Sequence, residues 1–279
     1  MNSNTKSLLL YALMCAGFVL SACGKTNTGN SNIIPSAQAN TTSAHASQGS
    51  AVRTYTMIGV LSDMQPISFM DHKSRNYIGH DIDLAKEACK RAEMECRFKP
   101  VFLSDIEKEL VKDKTVDAIW SNIVITNERK KVFAFSEPYI KGKQVIMVRA
   151  DSPIKTKADL GGTKVIVEKD SVGEQMVRAL SGSQAPAEII TTTGTVEASQ
   201  HLFAGNADAV VYDNLTLEYY AANTPGKLRV IDDPLREDDI GVAVRPDDTL
   251  LLGKINKALA TMQADGTSRK IHENWYSKK

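Results

Sequence analysis

Residues 117–131 read DAIWSNIVITNERKK, a strand-like apolar run that ends in a charged segment. Arg129 falls in the first turn of a predicted helix, with Thr126 as its N-cap. A cation in a first turn opposes the helix dipole. The segment is therefore either a solvated helix start, or Arg129 points back over the strand end into a cleft and binds an anion. Ser121 and Asn122 follow the strand directly and are expected at the same edge.

Strand followed by helix is also the pattern of the chain from residue 54 to residue 279. This alternation predicts an α/β fold of mainly parallel sheets with helices on both faces. The predicted strands are YTMIGV (55–60), CRFKPVF (96–102), VDAIW (116–120), QVIMVR (144–149), KVIVE (164–168), AEII (187–190) and ADAVVY (207–212). A body of this length suits two doubly wound lobes. Because open α/β sheets bind ligands at the carboxyl ends of their strands, we expect a ligand cleft between the lobes.

A second candidate contact follows the strand at 164–168, in the sequence EKDSVGEQ. Ser171 can cap the next helix, which leaves the N–H groups of Val172 and Gly173 free to receive a carboxylate. Taken alone, this segment is better explained as an ordinary helix start.

The third candidate contact is Asp213, a carboxylate directly after the strand at 207–212. Its simpler role is the N-cap of the following helix. Together with Arg129 and the helix start at Ser171, it forms a pattern that suits an α-amino acid. The guanidinium would bind the ligand carboxylate in bidentate fashion, and Asp213 would pair with the ligand ammonium.

Composition and motifs favour a binding protein over an enzyme. The formal net charge is +1 over 279 residues, which gives no basic field for nucleic acid. The sequence has no P-loop, G-x-S-x-G, H-E-x-x-H or G-x-G-x-x-G motif, and its five histidines are scattered. We therefore expect no catalytic residue, no cofactor and no metal.

The first 52 residues read as export and anchoring segments. Lys6 and the apolar run at 8–20 are typical of a secretory signal, predicted to cover residues 1–22. The sequence LSAC at 20–23 resembles a lipobox, in which Cys23 is acylated; plain signal cleavage or a short anchor is the alternative. Residues 23–52 are rich in Ser, Thr, Asn, Ala and Gly and predict a flexible tether. The expected location is the periplasm or the cell surface, with the chain attached to a membrane by the lipid.

Cys89 and Cys96 are the cysteines of the folded body. In an exported protein a disulfide is the default, and a zinc pair is the weaker alternative because no further Cys or nearby His completes a set. An uninterrupted helix would hold the two residues roughly 10 Å apart, too far for a disulfide. We therefore expect the helix to end near Glu93 and the chain to fold back.

Six ordered segments between residues 55 and 276 resemble the polar amino-acid periplasmic binding proteins of ABC importers, solute-binding family 3. They are YIGHDIDLAKEACKRAEMEC, DAIWSNIVITNERKKVFAFSEPYI, ADLGGTKVIVEKDSVGE, AGNADAVVYDN, IGVAVRPDD and INKALATMQADGTSRKIHENWY. The resemblance implies a periplasmic-binding-protein-like fold with a two-strand hinge near 141–146 and 236–241. Lobe 1 would comprise 53–142 plus 240–279, and lobe 2 would comprise 143–239. The segment CKRAEMEC resembles the disulfide region of the histidine and lysine/arginine/ornithine binders.

The resemblance also implies roles for individual positions. Arg129 matches the arginine that holds the ligand carboxylate, and Asp213 matches the aspartate that holds the ammonium. Four positions match contacts to the ligand main chain and the lobe-two helix start: Ser121, Asn122, Ser171 and Val172.

Several positions depart from the family pattern. Val124 stands where a Thr or Ser is usual, so one hydrogen bond to the ligand would be missing. Leu61 and Met64 replace the acid and aromatic residue of the basic-ligand binders, with Asp63 displaced, and Leu103 replaces a second aromatic residue. A stacked cationic side chain is therefore not expected, which favours a small polar or apolar amino acid.

Two residues give less consistent indications. Glu168 lies where some relatives contact the ligand side chain, and its charge argues against an apolar ligand. Trp120 either closes the pocket or belongs to the core.

The leading functional hypothesis is a transport receptor, expected as a monomer, that binds an amino acid or related small metabolite and delivers it to an ABC permease in the inner membrane. One alternative is an enzyme similar to the cyclohexadienyl dehydratases, with Glu168 as the general acid. Another is a sensory or adhesive lipoprotein with an altered pocket.

Overall fold

A computed structural model of the protein describes residues 54–276. The predicted signal peptide (1–22), Cys23 and the tether (23–52) lie outside the described residues. Within the described part, none of the helices combines the length and apolar character that a membrane span requires.

Strands and helices alternate along the described residues, as the sequence predicts. The strands are β1 (Thr56–Val60), β2 (Asp63–Met64), β3 (Ser68–Met70), β4 (Tyr77–Ile78), β5 (Cys96–Pro100), β6 (Ala118–Ile119), β7 (Ala134–Phe135), β8 (Ile140–Arg149), β9 (Lys164–Glu168), β10 (Glu188–Thr192), β11 (Ala209–Asp213), β12 (Leu228–Ile240) and β13 (Ala243–Val244). The α-helices are α1 (His80–Arg91), α2 (Val172–Ala179), α3 (Thr195–Phe203), α4 (Asn214–Asn223), α5 (Thr249–Ala264) and α6 (Thr267–Tyr276). The described residues also form 3₁₀ turns at Leu103–Asp105, Arg129–Lys131, Lys157–Leu160 and Gly182–Gln184, and a π turn at Lys108–Lys112.

Two five-stranded sheets organise the structure into two lobes, and the predicted fold class is confirmed. The first sheet has the order β5-β1-β6-β13-β7, and the second has the order β10-β9-β11-β8-β12. In each sheet three strands are parallel, and the last two strands of the order join antiparallel. A small antiparallel sheet of β2, β3 and β4 lies beside them.

Side-chain alternation explains why the second sheet has helices on both faces. Val165 and Val167 of β9 pack in one cluster with Val177 of α2, whereas Ile166 packs in another with Leu202 of α3. Successive side chains of a strand point to opposite faces, so a strand that is apolar throughout needs cover on both sides. The run KVIVE meets this condition, since only its first residue is exposed.

The chain passes between the two sheets through β8 and β12. These strands pair antiparallel, first from Ile140 opposite Ile240 to Gln144 opposite Arg236. After an irregularity they pair again, from Ile231 opposite Ile146 onwards. The two-strand hinge predicted near 141–146 and 236–241 therefore corresponds to one antiparallel ribbon.

Helix α1 ends where the disulfide requires it to end. Its last residue is Arg91, and Glu93 adopts a positive φ of 52°, which turns the chain back towards β5. Cys89 and Cys96 are bonded, with their Cα atoms 6.2 Å apart. The disulfide is therefore present, as the sequence analysis favoured over a zinc pair.

We expect removal of this disulfide to lower the free energy of unfolding by about 2 kcal/mol, because a crosslink over a short loop restricts the unfolded chain modestly. The double variant Cys89→Ala/Cys96→Ala should unfold at correspondingly lower urea concentration. Reduction of the wild-type protein should also lower the free energy of unfolding. Identical urea midpoints for the oxidised protein, the reduced protein and the double variant would contradict a stabilising role.

Candidate functional site

A cavity with about 370 Å³ of empty space lies where the carboxyl ends of strands from the two sheets meet. Ten of the twelve ligand-binding residues predicted from the sequence line it: Leu61, Met64, Leu103, Asn122, Val124, Arg129, Glu168, Ser171, Val172 and Asp213. Ile123, Gln144 and Tyr212 complete the lining.

Arg129 supplies the cation of this cavity. It lies in a single 3₁₀ turn, not in the longer helix that the sequence suggested, and its backbone N–H donates to Thr126 Oγ1 at 3.1 Å. Its Nη1 donates to the carbonyl of Val124 at 3.0 Å. Among residues 54–276, no carboxylate forms a salt bridge with this guanidinium. Burial lowers the pKa of Arg129, while Glu168 and Asp238 oppose this effect.

Lys130 and Lys131 have a different environment from Arg129, although the three residues share one turn. Both lysines are exposed, whereas Arg129 is half-buried and lines the cavity. The charged segment therefore contains one cation that faces the cavity and two that are solvated.

Asp213 caps a helix and also lines the cavity. It ends β11 and caps α4, because its Oδ1 accepts the N–H of Thr216 at 2.9 Å. Its Oδ2 is buried and has no hydrogen-bond partner among the described residues. Burial raises the pKa of Asp213 to about 6. A buried acceptor without a partner costs free energy, so this oxygen is suited to a donor from a ligand.

Asn122 provides a second buried oxygen without a partner in the described structure, its Oδ1. The residue has a φ of 55°, in the left-handed region that Asn tolerates better than most residues. The carboxylate of Asp81 holds this turn, because Asp81 Oδ2 accepts the N–H of Asn122 at 2.7 Å and the hydroxyl of Tyr139 at 2.5 Å. His80 Nδ1 contacts the other carboxylate oxygen at 2.8 Å. The buried network thus fixes a strained residue at the cavity wall.

The N-terminus of α2 forms another part of the wall. The hydroxyl of Ser171 accepts the N–H of Glu174 at 3.0 Å, so it is engaged as an N-cap. Val172 begins the helix and lines the cavity. An α-helix leaves its first N–H groups without intrahelical acceptors, which makes this end a site for an anion.

Glu168 is a buried acid paired with a buried phenol. The hydroxyl of Tyr212 donates to Glu168 Oε2 at 2.7 Å. Burial raises the pKa of Glu168 to about 8, with Asp63 and Asp213 adding to the rise and Arg129 opposing it. Burial therefore favours the protonated carboxyl near neutral pH, and the hydrogen bond from Tyr212 favours the ionised form.

Ser121 and Trp120 do not line the cavity, in contrast to the prediction. The Oγ of Ser121 is fully buried, where it accepts the N–H of Leu61 at 3.1 Å and contacts the hydroxyl of Ser68. Ser121 therefore holds the β1 end of the sheet and is not free for a ligand. Trp120 packs in the core, with its ring 5.8 Å from that of Tyr139. The core interpretation of Trp120 is the one that the structure supports.

The sequence analysis missed three lining residues and one supporting residue. Gln144 and Tyr212 are polar residues at the ends of the apolar runs predicted as strands at 144–149 and 207–212, and this signal could have found them. Ile123 carried no signal beyond its position beside Asn122. Asp81 lies in the first turn of α1, whose cap position is Gly79, and it supports Asn122 through its carboxylate.

The two lobes touch beside the cavity. The hydroxyl of Thr195, at the start of α3, donates to the carbonyl of Asp63 in β2 at 2.9 Å. The carboxylate of Asp63 also lies against Gly194, in the space that a Cβ atom would occupy. Only glycine leaves room for the Asp63 carboxylate here, and a methyl group at residue 194 would push the end of this flexible side chain aside.

We expect Gly194→Ala to weaken ligand binding by no more than a few-fold, because the added methyl group turns aside the flexible carboxylate of Asp63 and leaves the Thr195 bond to the Asp63 carbonyl in place. Calorimetric titration should detect this loss, and the second substitution Asp63→Ala should reverse part of it by removing the clash. Gly253→Ala is the matched control, since a Cβ there meets no atom within 4 Å. A loss well beyond a few-fold would contradict this expectation.

The described residues contain no group of three or more His, Cys, Asp or Glu side chains that could hold a metal ion. The cavity instead offers one unpaired guanidinium, a helix N-terminus and two buried oxygens that lack partners. This set is complementary to a small zwitterion.

Comparison with known proteins agrees with the fold. The chain is 32% identical over 207 residues to ABC transporter arginine-binding protein 1 of Escherichia coli (strain K12), covering 71% of this chain and 82% of that protein. It is 30% identical over 274 residues to the ABC transporter glutamine-binding protein GlnH of Bacillus subtilis (strain 168), covering 96% of both chains. An ancestral amino acid-binding protein, described as a precursor of cyclohexadienyl dehydratase, superposes with a TM-score of 0.74 at 34% identity, covering 80% of this chain and 96% of that one.

Residues 56–278 match the family of bacterial extracellular solute-binding proteins, family 3. The match spans nearly all of the described residues, and it includes every residue that lines the cavity. The chain belongs to family 3 of the bacterial extracellular solute-binding proteins.

Proposed function

We propose that this protein is the receptor of an ABC importer and binds an α-amino acid between its two lobes. The proposal rests on one observation: the cavity holds a cation and a carboxylate oxygen that both lack a charged partner among the described residues. The guanidinium of Arg129 has no carboxylate partner in the described structure, and the Oδ2 of Asp213 has no donor. An α-amino acid supplies both, because it carries a carboxylate and an ammonium on one carbon.

The ligand main chain has a defined orientation in this proposal. Its carboxylate binds the guanidinium of Arg129 and the N–H groups at the start of α2, where Val172 lines the cavity. Its ammonium has three donors, and the Oδ2 of Asp213 and the Oδ1 of Asn122 are two buried acceptors for them. These polar contacts fix the ligand before any interaction with its side chain.

The ligand side chain meets a mostly apolar wall. Leu61, Met64 and Leu103 line this part of the cavity, and Val124 contributes no hydroxyl. No aromatic platform for a stacked cation is formed by these residues. The small cavity and its apolar wall favour an amino acid with a small uncharged side chain. The similar glutamine-binding protein supports an uncharged ligand, whereas the similar arginine-binding protein supports a charged one.

Ligand binding would close the lobes through the β8–β12 ribbon, with lobe boundaries at 142/143 and 239/240. A ligand that touches both lobes stabilises the closed form over the open one. The closed receptor would then dock on its permease. We also propose export by the segment 1–22 and anchoring through Cys23, which rest on the sequence pattern alone.

A direct test starts with the purified protein. Mass spectrometry after denaturation would identify a co-purified ligand, and a thermal-shift screen of the twenty amino acids on refolded protein would follow. Ligands that bind the native state raise the melting temperature. The proposal predicts a shift with one or a few amino acids, and no shift with any of them would reject it.

The proposed pairing of Asp213 with the ammonium predicts a pH dependence. The pKa of Asp213 is raised to about 6 by burial, so the carboxylate is ionised above pH 6 and neutral below it. Affinity for an amino acid with an uncharged side chain should therefore fall as pH falls through 6, by nearly tenfold per unit below that value. Titration calorimetry between pH 5 and 7 measures this slope. Asp213→Asn should remove the slope, and a flat profile in wild type would contradict the pairing.

Glu168 supports a second candidate function, that of a dehydratase. A buried carboxyl with a pKa of about 8 is protonated at neutral pH and is suited to act as a general acid. It could donate its proton to a departing hydroxyl while the substrate loses carbon dioxide. Incubation with prephenate or arogenate tests this: formation of carbon dioxide and the aromatic product, lost in Glu168→Gln, would support the enzyme over the receptor.

A further inference from the structure

The cleft contains more acids than cations. Glu168 faces the carboxyls of Asp63 and Asp213, the hydroxyl of Tyr212 and the guanidinium of Arg129. These groups come from β2, β11 and the turn after β6, the elements that surround the end of β9. One cation therefore faces the two buried carboxyl groups of Glu168 and Asp213, with the exposed Asp63 beside them.

Neighbouring charges do not correct this imbalance. Arg236 lies on β12, where its guanidinium forms an ion pair with Asp238. Asp238 also accepts a hydrogen bond from the side chain of Gln144. Because Arg236 is paired with Asp238, it supplies no free cation to Glu168.

An amino-acid main chain leaves the imbalance in place. If Arg129 binds the ligand carboxylate and Asp213 binds the ammonium, both protein charges are neutralised by the ligand. Glu168 then keeps only the hydroxyl of Tyr212 as a partner. A buried carboxylate without a cation is strongly unfavourable, whereas a neutral carboxyl bonded to a phenol is not.

We propose that Glu168 selects the ligand side chain by keeping or releasing a proton. Against an uncharged side chain it remains a neutral carboxyl, and against a cationic side chain it ionises and forms the ion pair. This inference rests on the proposed receptor function, and it identifies two ligand classes that the same cavity accepts at different pH. Glu168 lines the cavity together with Leu61, Met64 and Leu103, so a ligand side chain that fills the remaining space meets this carboxyl.

The proposal fixes the sign of the pH effect. The carboxyl of Glu168 has a pKa of about 8 in the unliganded protein. A cationic side chain lowers this pKa on binding, so a proton is released at pH 7. Affinity for a cationic amino acid therefore rises with pH, by up to about tenfold per unit, until about pH 8. An uncharged side chain produces no such rise.

L-ornithine and L-glutamine are suitable probes, because their side chains have equal length and differ in charge. Titration calorimetry at pH 7 in phosphate and in Tris counts the protons released. We expect ornithine to release about one proton more than glutamine. The ratio of ornithine affinity to glutamine affinity should rise by nearly tenfold between pH 6 and pH 7. Protonation of Asp63 or Asp213 changes the affinities for both ligands alike, so its effect cancels in this ratio.

Glu168→Gln keeps the size of the side chain and removes its charge. It should abolish the extra proton and the pH dependence of the ratio, and lower the ratio of ornithine affinity to glutamine affinity at pH 8 at least tenfold. Glu188→Gln is the matched control, because Glu188 is exposed on β10 and pairs with Lys164. It should change neither ligand.

Each other outcome has a definite meaning. Equal proton release by the two probes overturns the inference, and so does failure of ornithine to bind at pH 8 while glutamine binds. Binding of neither probe, with another amino acid bound, also overturns it, since the cleft would then select on shape. Failure of every amino acid to bind would instead overturn the receptor function.

Discussion

Replacement of Arg129 by alanine is expected to lower amino-acid affinity by about 100- to 1,000-fold while the protein remains folded. The substitution removes the one cavity cation that is free of a carboxylate partner in the described structure. A bound ligand carboxylate would then be buried without its bidentate donor, which is far more costly than the loss of an exposed ion pair. The protein itself loses only the hydrogen bond to the Val124 carbonyl.

Titration calorimetry measures this loss, and circular dichroism with thermal unfolding verifies the fold. Lys130→Ala and Lys131→Ala are matched controls, because both lysines are exposed in the same turn and should leave affinity unchanged. Arg129→Lys should give an intermediate loss, since an ammonium retains the charge but not the planar fork. If Arg129→Ala keeps the wild-type affinity, the ligand carboxylate does not bind to Arg129.

Asp213→Asn is expected to reduce affinity for α-amino acids by about 100-fold and to affect ligands that lack the ammonium much less. Asparagine keeps an oxygen that can accept the N–H of Thr216, so the cap of α4 is retained. The negative charge that pairs with the ammonium is lost. The change therefore separates the capping role of Asp213 from its proposed binding role.

The measurement compares an amino acid with its analogue in which hydrogen replaces the ammonium group. Asp248→Asn is the control, because Asp248 caps α5 through the same bond to Leu251 N–H and lies outside the cavity lining. It should change neither ligand. If Asp213→Asn weakens both ligands equally, the residue acts through the fold and not through the ammonium.

Hydrophobic pattern and strand ends predicted the fold and most of the cavity. Strands that are apolar on both faces must be covered by helices on both sides of the sheet. Parallel strands bring their carboxyl ends to one edge of that sheet. Glu168 and Asp213 end such strands, and Arg129 lies in the turn after β6. The three residues converge in the structure although about 40 residues separate each from the next. Their convergence follows from topology, which the alternation of elements determines.

Features that depend on partners distant in sequence could not be predicted in the same way. Ser121 directly precedes Asn122, yet its hydroxyl is engaged by Ser68 of a different strand. Asp81 supports Asn122 from 41 residues away, a pairing that no local pattern indicates. The Tyr212–Glu168 hydrogen bond, which helps to define the state of the carboxyl, likewise joins two strands.

The short turn at Arg129 is a further difference between sequence and structure. The sequence from Thr126 onwards has the cap and the polar residues of a helix start, but only one 3₁₀ turn forms before the chain enters β7. The following residues, Val132 and Phe133, pack into the core, and β7 must pair with β13. Tertiary packing therefore ends the helix early. Arg129 is held in a tight turn beside the cavity wall as a result.

The most direct test of the central claim is a crystal structure of the protein with its bound amino acid. The account predicts a ligand between the lobes, with its carboxylate on the guanidinium of Arg129 and the N-terminus of α2, and its ammonium on the Oδ2 of Asp213. A ligand bound elsewhere, or one whose carboxylate and ammonium contact neither residue, would contradict the account.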